Sequence, residues 1–181
     1  DVCVFLLENR DFKDTFSAQQ TEVRNTHINE GQFESIAVQS VVGKALAEYV
    51  FLPGERDFIH CDLRQTFNFK GDETLLIYVM FNLLKNALYF SHCAPTFEIT
   101  INSRLDEKCN TLVFRDNGPG IPFESIENIF EDFFSTDNAH GTGLGLAYCR
   151  RVMRAFNGDI TCVSVLGEYT EFKLEFPPVS V

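Results

Sequence analysis

The chain has 181 residues, of which 45% are hydrophobic, and its formal net charge is −11. A chain of this length is the size of one domain, and its apolar content is sufficient for a hydrophobic core. Its Lys and Arg residues form no dense block, which argues against a nucleic-acid-binding surface. It contains no long apolar run and begins without a basic, signal-like segment, so the sequence predicts a soluble domain.

Six cysteines are scattered singly along the sequence, without a Cys-x-x-Cys pair. A chain of this length does not need disulfides to fold, and single cysteines do not match the spacing of zinc ligands. We therefore interpret them as reduced residues in or near the core of a cytoplasmic protein, in preference to disulfide or metal partners. They are Cys3, Cys61, Cys93, Cys109, Cys149 and Cys162.

The first predicted elements are an irregular segment and a helix. Residues 1–30 are polar with weak periodicity, which is typical of the end of a helix followed by a link. From Ser35 onward, apolar residues recur at alternating spacings of three and one, which predicts an amphipathic helix that ends at the sequence LPGE. The apolar stripe of this helix is Val38, Val41, Val42, Ala45, Leu46 and Tyr49.

A second, longer helix is predicted after two short strand-like segments, DFIHCDL and TFNFK. Gly71 and Asp72 give a stop signal and a helix N-cap before it. The helix has one apolar stripe, and it places Asn82 and Asn86, which are four residues apart, on the same face. The stripe consists of Leu75, Leu76, Val79, Met80, Leu83, Leu84 and Ala87.

The remaining chain is predicted to be mostly strand. TFEITIN and YTEFKLEF alternate apolar and polar residues, and TLVFRD and DITCVSV are also strand-like. A helix from about Leu144 to Phe156, which ends at Asn157 and Gly158, lies among these strands. Alternation indicates a sheet with one solvated face. The sequence therefore predicts an α/β fold, a two-layer sandwich in which helices cover one face of a mixed, largely antiparallel sheet.

Three glycines at alternate positions, Gly141, Gly143 and Gly145, occur in the sequence HGTGLGL before the last helix. Glycine destabilises a helix by roughly 1 kcal/mol relative to alanine, so this cluster suggests that a ligand approaches the main chain closely. The spacing matches neither the dinucleotide fingerprint nor the P-loop. We interpret it as a phosphate-binding turn at a helix N-terminus, and a flexible turn without a ligand is the alternative.

Two further motifs offer groups for a nucleotide. In DNGPGIP, Asp116 ends a predicted strand and can accept a hydrogen bond from an amine such as that of adenine, while Gly118 and Gly120 let the base approach the backbone. The oxygens of Asn82 and Asn86 suit a hard cation such as Mg²⁺, which fills its other positions with phosphate and water. The alternatives are a tight turn for the first motif and amides that bond to the backbone for the second.

The order of these motifs resembles that of sensor histidine kinases. FNLLKNALYFS, DNGPGIP, IFEDFFST and GTGLGL are similar to the N box, first glycine box, F box and second glycine box of that family. The resemblance spans about residues 33 to 176, and the C-terminal part is similar to hybrid quorum-sensing sensor kinases. It implies the Bergerat ATP-binding fold, with residues 1–30 as the end of a dimerisation helix or a linker and residues 31–181 as the ATP-binding domain.

The resemblance also implies a role for each motif residue. Asp116 would hold the adenine amine, Asn86 would bind Mg²⁺, and Asn82 would be a catalytic residue on the same metal and phosphate side. Besides these and Gly118 and Gly120, the implied nucleotide-binding residues are Gly141, Thr142, Gly143, Leu144, Gly145 and Leu146. The implied lid residues are Phe130, Phe133, Phe134 and His140, although a phenylalanine trio is equally compatible with a core.

Position 82 bears on the reaction. Hydrolytic members of the wider superfamily resemble one another in carrying Glu there, which can activate water, whereas an amide is not basic enough to do so. Asn82 therefore predicts slow ATP hydrolysis and transfer of the γ-phosphoryl group to another acceptor, through positioning and charge neutralisation. An ATPase of the hydrolysing kind is the disfavoured alternative.

Two parts of the family pattern are missing from the sequence. None of the four histidines is followed by the acidic residue and proline of a phosphoacceptor box, so the acceptor would lie on a separate dimerisation and phosphotransfer domain of the same protein. Tyr89 and Asp137 stand where the family often has Lys or Arg, which predicts modest ATP affinity that depends strongly on Mg²⁺. The same departures leave open a nucleotide-sensing interaction module without phosphotransfer.

The resemblance also implies partners and a location. It suggests a response-regulator receiver domain as a further partner and no nucleic-acid partner. It places the domain in the cytoplasm as part of a membrane-bound sensor. Because dimerisation in such kinases belongs to other helices, we expect the isolated chain to be a monomer.

Overall fold

The computed structural model describes residues 28, 30–91, 96–134 and 143–179. The strands are β1 (Glu34–Ala37), β2 (Ile59–Asp62), β3 (Asn68–Gly71), β4 (Ile99–Arg104), β5 (Asn110–Asp116), β6 (Asp159–Val165) and β7 (Tyr169–Phe176). Five of them form the main sheet in the order β2-β4-β5-β7-β6, in which β2 and β4 are parallel and the other neighbours are antiparallel. β1 and β3 pair antiparallel in a separate sheet of two strands. The predicted mixed, largely antiparallel sheet is thereby confirmed.

The helices pack on one another and on the main sheet. They are α1 (Val38–Glu48), α2 (Glu73–Tyr89), α3 (Phe123–Ile126) and α4 (Gly145–Ala155), with short 3-10 turns at Glu30–Gln32 and Glu55–Phe58. α2 lies between α1 and α4, and α4 also contacts β6 and β7. Of the helices in the described ranges, none is long and apolar enough to cross a membrane.

The core lies between the helices and the sheet. Alternate residues of β7 are buried, including Phe172, Leu174 and Phe176, as their spacing predicts. The ring of Phe69 lies 5.1 Å from that of Phe176 and 5.5 Å from that of Phe156, which follows α4. These aromatic contacts join the small sheet, the main sheet and the last helix in one core.

The longest helix, α2, begins and packs as the sequence predicts. Asp72 is its N-cap, and the Asp72 carboxylate accepts a hydrogen bond of 2.9 Å from the Leu75 N–H. Leu75 is half-buried, and the rest of the predicted stripe is fully buried. α4 ends at the predicted stop, where Asn157 takes a positive φ of 59° and the Gly158 N–H bonds to the Met153 carbonyl at 2.9 Å.

Some local predictions are wrong. Ser35 lies in strand β1 and the helix begins at Val38, because this segment pairs with β3 before the chain turns into α1. The predicted strand DFIHCDL begins with a 3-10 turn and becomes strand only at Ile59. Cys149 is buried, but Cys61 is exposed on the edge strand β2 and does not belong to the core.

Candidate nucleotide site

Asp116 ends β5, and its carboxyl group is buried, with 6% of the residue exposed. The Gly118 N–H donates a hydrogen bond of 3.0 Å to Asp116 Oδ1. Burial raises the pKa of Asp116 to about 6, against the lowering effect of this hydrogen bond and of Arg115. Asp116 is therefore a buried, fixed acceptor at the end of a strand, and its contact with a base amine stays a prediction.

The loop after Asp116 is held on both sides. The Asn117 side chain accepts from the Glu98 N–H and donates to the Thr96 carbonyl, both at 2.7 Å. A Cβ atom on Gly118 would lie 2.8 Å from Asp116 Oδ1. Gly120 has a φ of +69°, and a Cβ atom there would collide with the Val165 carbonyl. The glycines are therefore required by the loop's own contacts, in addition to any role beside a base.

Asn82 faces the beginning of α4. It is 3% exposed, and its Nδ2 donates to the Tyr78 carbonyl at 2.8 Å, which fixes the orientation of the amide. A Cβ atom on Gly145 would lie 2.7 Å from Asn82 Oδ1, so this approach of α4 to α2 requires glycine. Asn86 is half-buried one turn further along α2. The Asn82 nitrogen thus bonds to the backbone, as the alternative interpretation expects, while the role of its oxygen beside a metal ion stays a prediction.

The end of the second glycine motif contacts the F box. Gly143 has a φ of +64°, and a Cβ atom there would collide with the Phe133 backbone and lie 2.7 Å from Phe134 N. Leu144 and Leu146 are half-buried on either side of the first residue of α4. His140, Gly141 and Thr142, together with Asp137, lie outside the described residues.

The phenylalanine trio of the F box is divided between core and surface. Phe130 is buried, its ring lies 6.4 Å from that of Phe172, and the Arg150 guanidinium lies 5.0 Å from its centroid. Phe134 is half-buried, whereas Phe133 is 78% exposed with a φ of 66°. Phe130 therefore packs as an anchor, and Phe133 does not.

Helix α2 lies beside both glycine motifs. Near the middle of α2 Asn82 contacts Gly145, and just past its C-terminal end Phe90 lies beside Gly118, with the Phe90 Cβ 3.8 Å from a Cβ atom built on Gly118. Residues 82, 86 and 90 share one helix face at intervals of four. They span about 12 Å along the axis, at a rise of about 1.5 Å per residue. Asn86 thus lies midway between the two glycine motifs.

Residues 71–180 match the family model of histidine kinase-, DNA gyrase B-, and HSP90-like ATPases. The chain belongs to this family. Membership implies that the domain binds ATP. The match includes α2 and both glycine motifs, so the residues that the sequence singled out lie inside the family's region.

The relatives of this ATPase domain include sensor kinases. It is 39% identical over 163 residues to the autoinducer 1 sensor kinase/phosphatase LuxN of Vibrio campbellii, covering 90% of this chain and 18% of LuxN. It is 37% identical to the CAI-1 autoinducer sensor kinase/phosphatase CqsS of Vibrio cholerae, covering 87% of this chain and 23% of CqsS. The chain thus spans about a fifth of the length of these relatives and corresponds to the catalytic ATP-binding domain of a sensor histidine kinase.

Solved structures show the same fold. The catalytic domain of the histidine kinase ThkA superposes with a TM-score of 0.66 at 24% identity, covering 81% of this chain and 95% of that one. Acinetobacter baumannii histidine kinase AdeS gives a TM-score of 0.64 at 23% identity, covering 93% and 77%. The α/β sandwich predicted from the sequence is therefore the fold of histidine kinase catalytic domains.

The β6–β7 hairpin also contributes to the loop after Asp116, which the sequence does not predict. The Ile121 N–H donates to Ser164 Oγ at 2.8 Å, and Thr170, which is 7% exposed, lies opposite Asp116 in the strand register. The short spacing between DITCVSV and YTEFKLEF indicates a hairpin, but it does not indicate which loop the hairpin contacts.

Proposed function

We propose that this domain binds ATP together with Mg²⁺ and transfers the γ-phosphoryl group to a histidine on a separate dimerisation and phosphotransfer domain. The observation that carries the proposal is the arrangement along α2, where Phe90 lies beside Gly118 and Asn82 beside Gly145. A nucleotide lying along this helix would have its base at Asp116 and its phosphates at the beginning of α4, whose N-terminus favours negative charge.

Asn86 is the residue that we propose as the magnesium ligand. Its side chain is half-buried, and it makes no hydrogen bond within the described part of the chain. Magnesium takes one or two protein oxygens and completes its shell with phosphate and water, and when bound it neutralises phosphate charge. No cluster of three acidic, histidine or cysteine side chains suited to a metal ion occurs among the described residues. The single amide oxygen of Asn86 therefore suits a metal ion that arrives with the nucleotide.

Asn82 favours transfer to an acceptor over hydrolysis. Its amide is fixed by the bond to Tyr78, and an amide does not take a proton from water. What this side chain can do is hold its oxygen beside Gly145 and keep the start of α4 in place. We therefore propose slow hydrolysis by the isolated domain and catalysis that depends on positioning.

We also propose the domain organisation that the sequence suggests. Residues 31–181 would form the ATP-binding domain, because β1, α1, β2 and β3 join the same core as the family-matched region. Residues 1–30 would be the end of a dimerisation helix or a linker. LuxN and CqsS are named autoinducer sensor kinase/phosphatases, which supports a signalling role. We further propose that the domain acts in the cytoplasm and has a receiver domain as a partner.

Calorimetric titration tests the nucleotide site. We expect ATP to bind in the presence of Mg²⁺, and we expect binding to disappear in Asp116→Ala. Asp62→Ala is the matched control, because Asp62 pairs with Arg64 on the edge strand, away from the site. Failure of the wild-type domain to bind ATP would refute the proposal.

Phosphotransfer is tested separately by adding the dimerisation and phosphotransfer domain in trans with radiolabelled ATP. A labelled histidine supports the kinase. ATP binding without a labelled histidine would favour a nucleotide-sensing module. The specific indication for such a module is Tyr89, which is 39% exposed and occupies a position where the family often has a cation. Steady phosphate release by the isolated chain would favour a hydrolysing ATPase.

A further inference from the structure

The β6–β7 hairpin contacts the loop after Asp116, residues 117–122, which we call the base-binding loop. The contacts involve three successive loop residues, Pro119, Gly120 and Ile121. The Gly167 N–H donates to the Pro119 carbonyl at 2.7 Å. Gly120 lies against the Val165 carbonyl, and a Cβ atom on Gly120 would be 2.9 Å from Leu166 Cα. The Ile121 N–H donates to Ser164 Oγ at 2.8 Å. The shape of this loop therefore depends on a hairpin that lies 43 residues further along the chain.

The Ser164 hydroxyl uses its full hydrogen-bonding capacity in these contacts. It donates its single proton to the Tyr169 carbonyl at 2.6 Å and accepts from the Ile121 N–H. Thr170 Oγ1 lies 3.3 Å from Ser164 Oγ, and since the serine proton is already used, Thr170 is the donor in that contact. One hydroxyl thus connects the base-binding loop to both residues that begin β7.

We propose that Ser164 is a positioning residue for adenine recognition. Ser164 holds Ile121 and so fixes the far end of the loop. The fixed loop keeps the hydrogen bond from the Gly118 N–H to Asp116 Oδ1. The Asp116 carboxyl group then keeps the orientation in which it can accept a hydrogen bond from the base amine. Thr170, which Ser164 also contacts, is the cross-strand neighbour of Asp116. The loop is therefore held from the hairpin side as well as from the β4 side, where Asn117 binds it. This inference rests on the proposed nucleotide site.

The test measures discrimination between two nucleotides that differ in one amine. ATP and purine riboside triphosphate, which lacks the exocyclic amine, are titrated into the wild-type domain, Ser164→Ala, Ser164→Thr and Ser103→Ala. Ser103 is the matched control, because it is a buried strand serine whose hydroxyl donates to the Gln65 carbonyl, outside the base-binding loop. Stability of each variant is measured by urea denaturation.

We expect the wild-type protein to bind ATP more tightly than purine riboside triphosphate. In Ser164→Ala the ratio of the two affinities should fall about fivefold, which is the scale of one displaced hydrogen bond. Ser164→Thr keeps the hydroxyl in a strand and should restore discrimination. Ser103→Ala should keep the wild-type discrimination between the two nucleotides even if its stability falls. If Ser164→Ala does not fold, Ser164→Cys, which keeps the volume but bonds weakly, replaces it in the same comparison.

The outcomes separate this inference from the proposed function. Failure of the wild-type domain to bind ATP would overturn the nucleotide site itself. Wild-type binding with full discrimination in Ser164→Ala would overturn the positioning role alone. Equal weakening of both nucleotides in Ser164→Ala, without a change in their ratio, would also overturn it, because a general loss of structure does not select for the amine.

Discussion

Replacing Asp116 by asparagine should stabilise the nucleotide-free domain while removing ATP binding. In the wild-type protein, burial raises the Asp116 pKa from 3.8 to about 6. The unfolded chain therefore loses this proton at lower pH than the folded chain, so the contribution of Asp116 to stability falls as pH rises from about 4 to about 6. The difference in pKa corresponds to roughly 3 kcal/mol at neutral pH.

Asparagine is the matched change because it keeps the acceptor oxygen for the Gly118 N–H and carries no charge to bury. Urea denaturation of both proteins from pH 4 to pH 7 gives two stability curves, and their difference isolates Asp116 from the other carboxyl groups. We expect the variant to gain stability over the wild type across this range, by up to about 3 kcal/mol. Parallel curves would refute the argument that a buried charge at Asp116 destabilises the domain.

Three further predictions concern single residues. Tyr148→Phe should raise the free energy of unfolding by about 1 kcal/mol in chemical denaturation, because the Tyr148 hydroxyl is buried and finds no hydrogen-bond partner among the described residues. Asn86→Ala should reduce ATP affinity in Mg²⁺ to the level that wild-type protein shows in chelator; a Mg²⁺ effect that survives in the variant would exclude Asn86 as the ligand. Gly143→Ala should destabilise the domain by about 1–3 kcal/mol in thermal or chemical unfolding, since Gly143 has a φ of +64° and a Cβ atom there would collide with the Phe133 backbone.

Elements with a complete local signal were predictable from the sequence. β6 and β7 have the predicted bounds, because β7 alternates apolar and polar residues, β6 is a strand-like run, and a short turn containing glycine separates them. β1 was not predictable, because Ser35 precedes the helical period without a break and its strand conformation depends on pairing with distant Lys70. Only this long-range pairing distinguishes a strand from a helix at Ser35.

The candidate site divides in the same way. The helical period was enough to place Asn82 and Asn86 on one face, and the end of a strand was enough to single out Asp116. The sequence does not indicate that Phe130 is buried and Phe133 exposed, because the two lie in an irregular segment where no periodicity relates the orientations of their side chains. The contact of Ser164 with Ile121 joins two regions with unrelated local patterns, so no sequence window contains it.

The glycines of the site show why fold and function are hard to separate here. Gly120, Gly143 and Gly145 each lie where a Cβ atom would strike another part of the protein, so each is required before any nucleotide is considered. The same close approaches bring the base-binding loop onto the β6–β7 turn and the beginning of α4 onto Asn82. A substitution at these positions therefore perturbs folding and binding together, whereas Asp116→Asn and Ser164→Thr each keep a side-chain oxygen and introduce no collision of a new Cβ atom. At these two positions, recognition is separated from stability by measuring nucleotide binding and urea denaturation on the same variants.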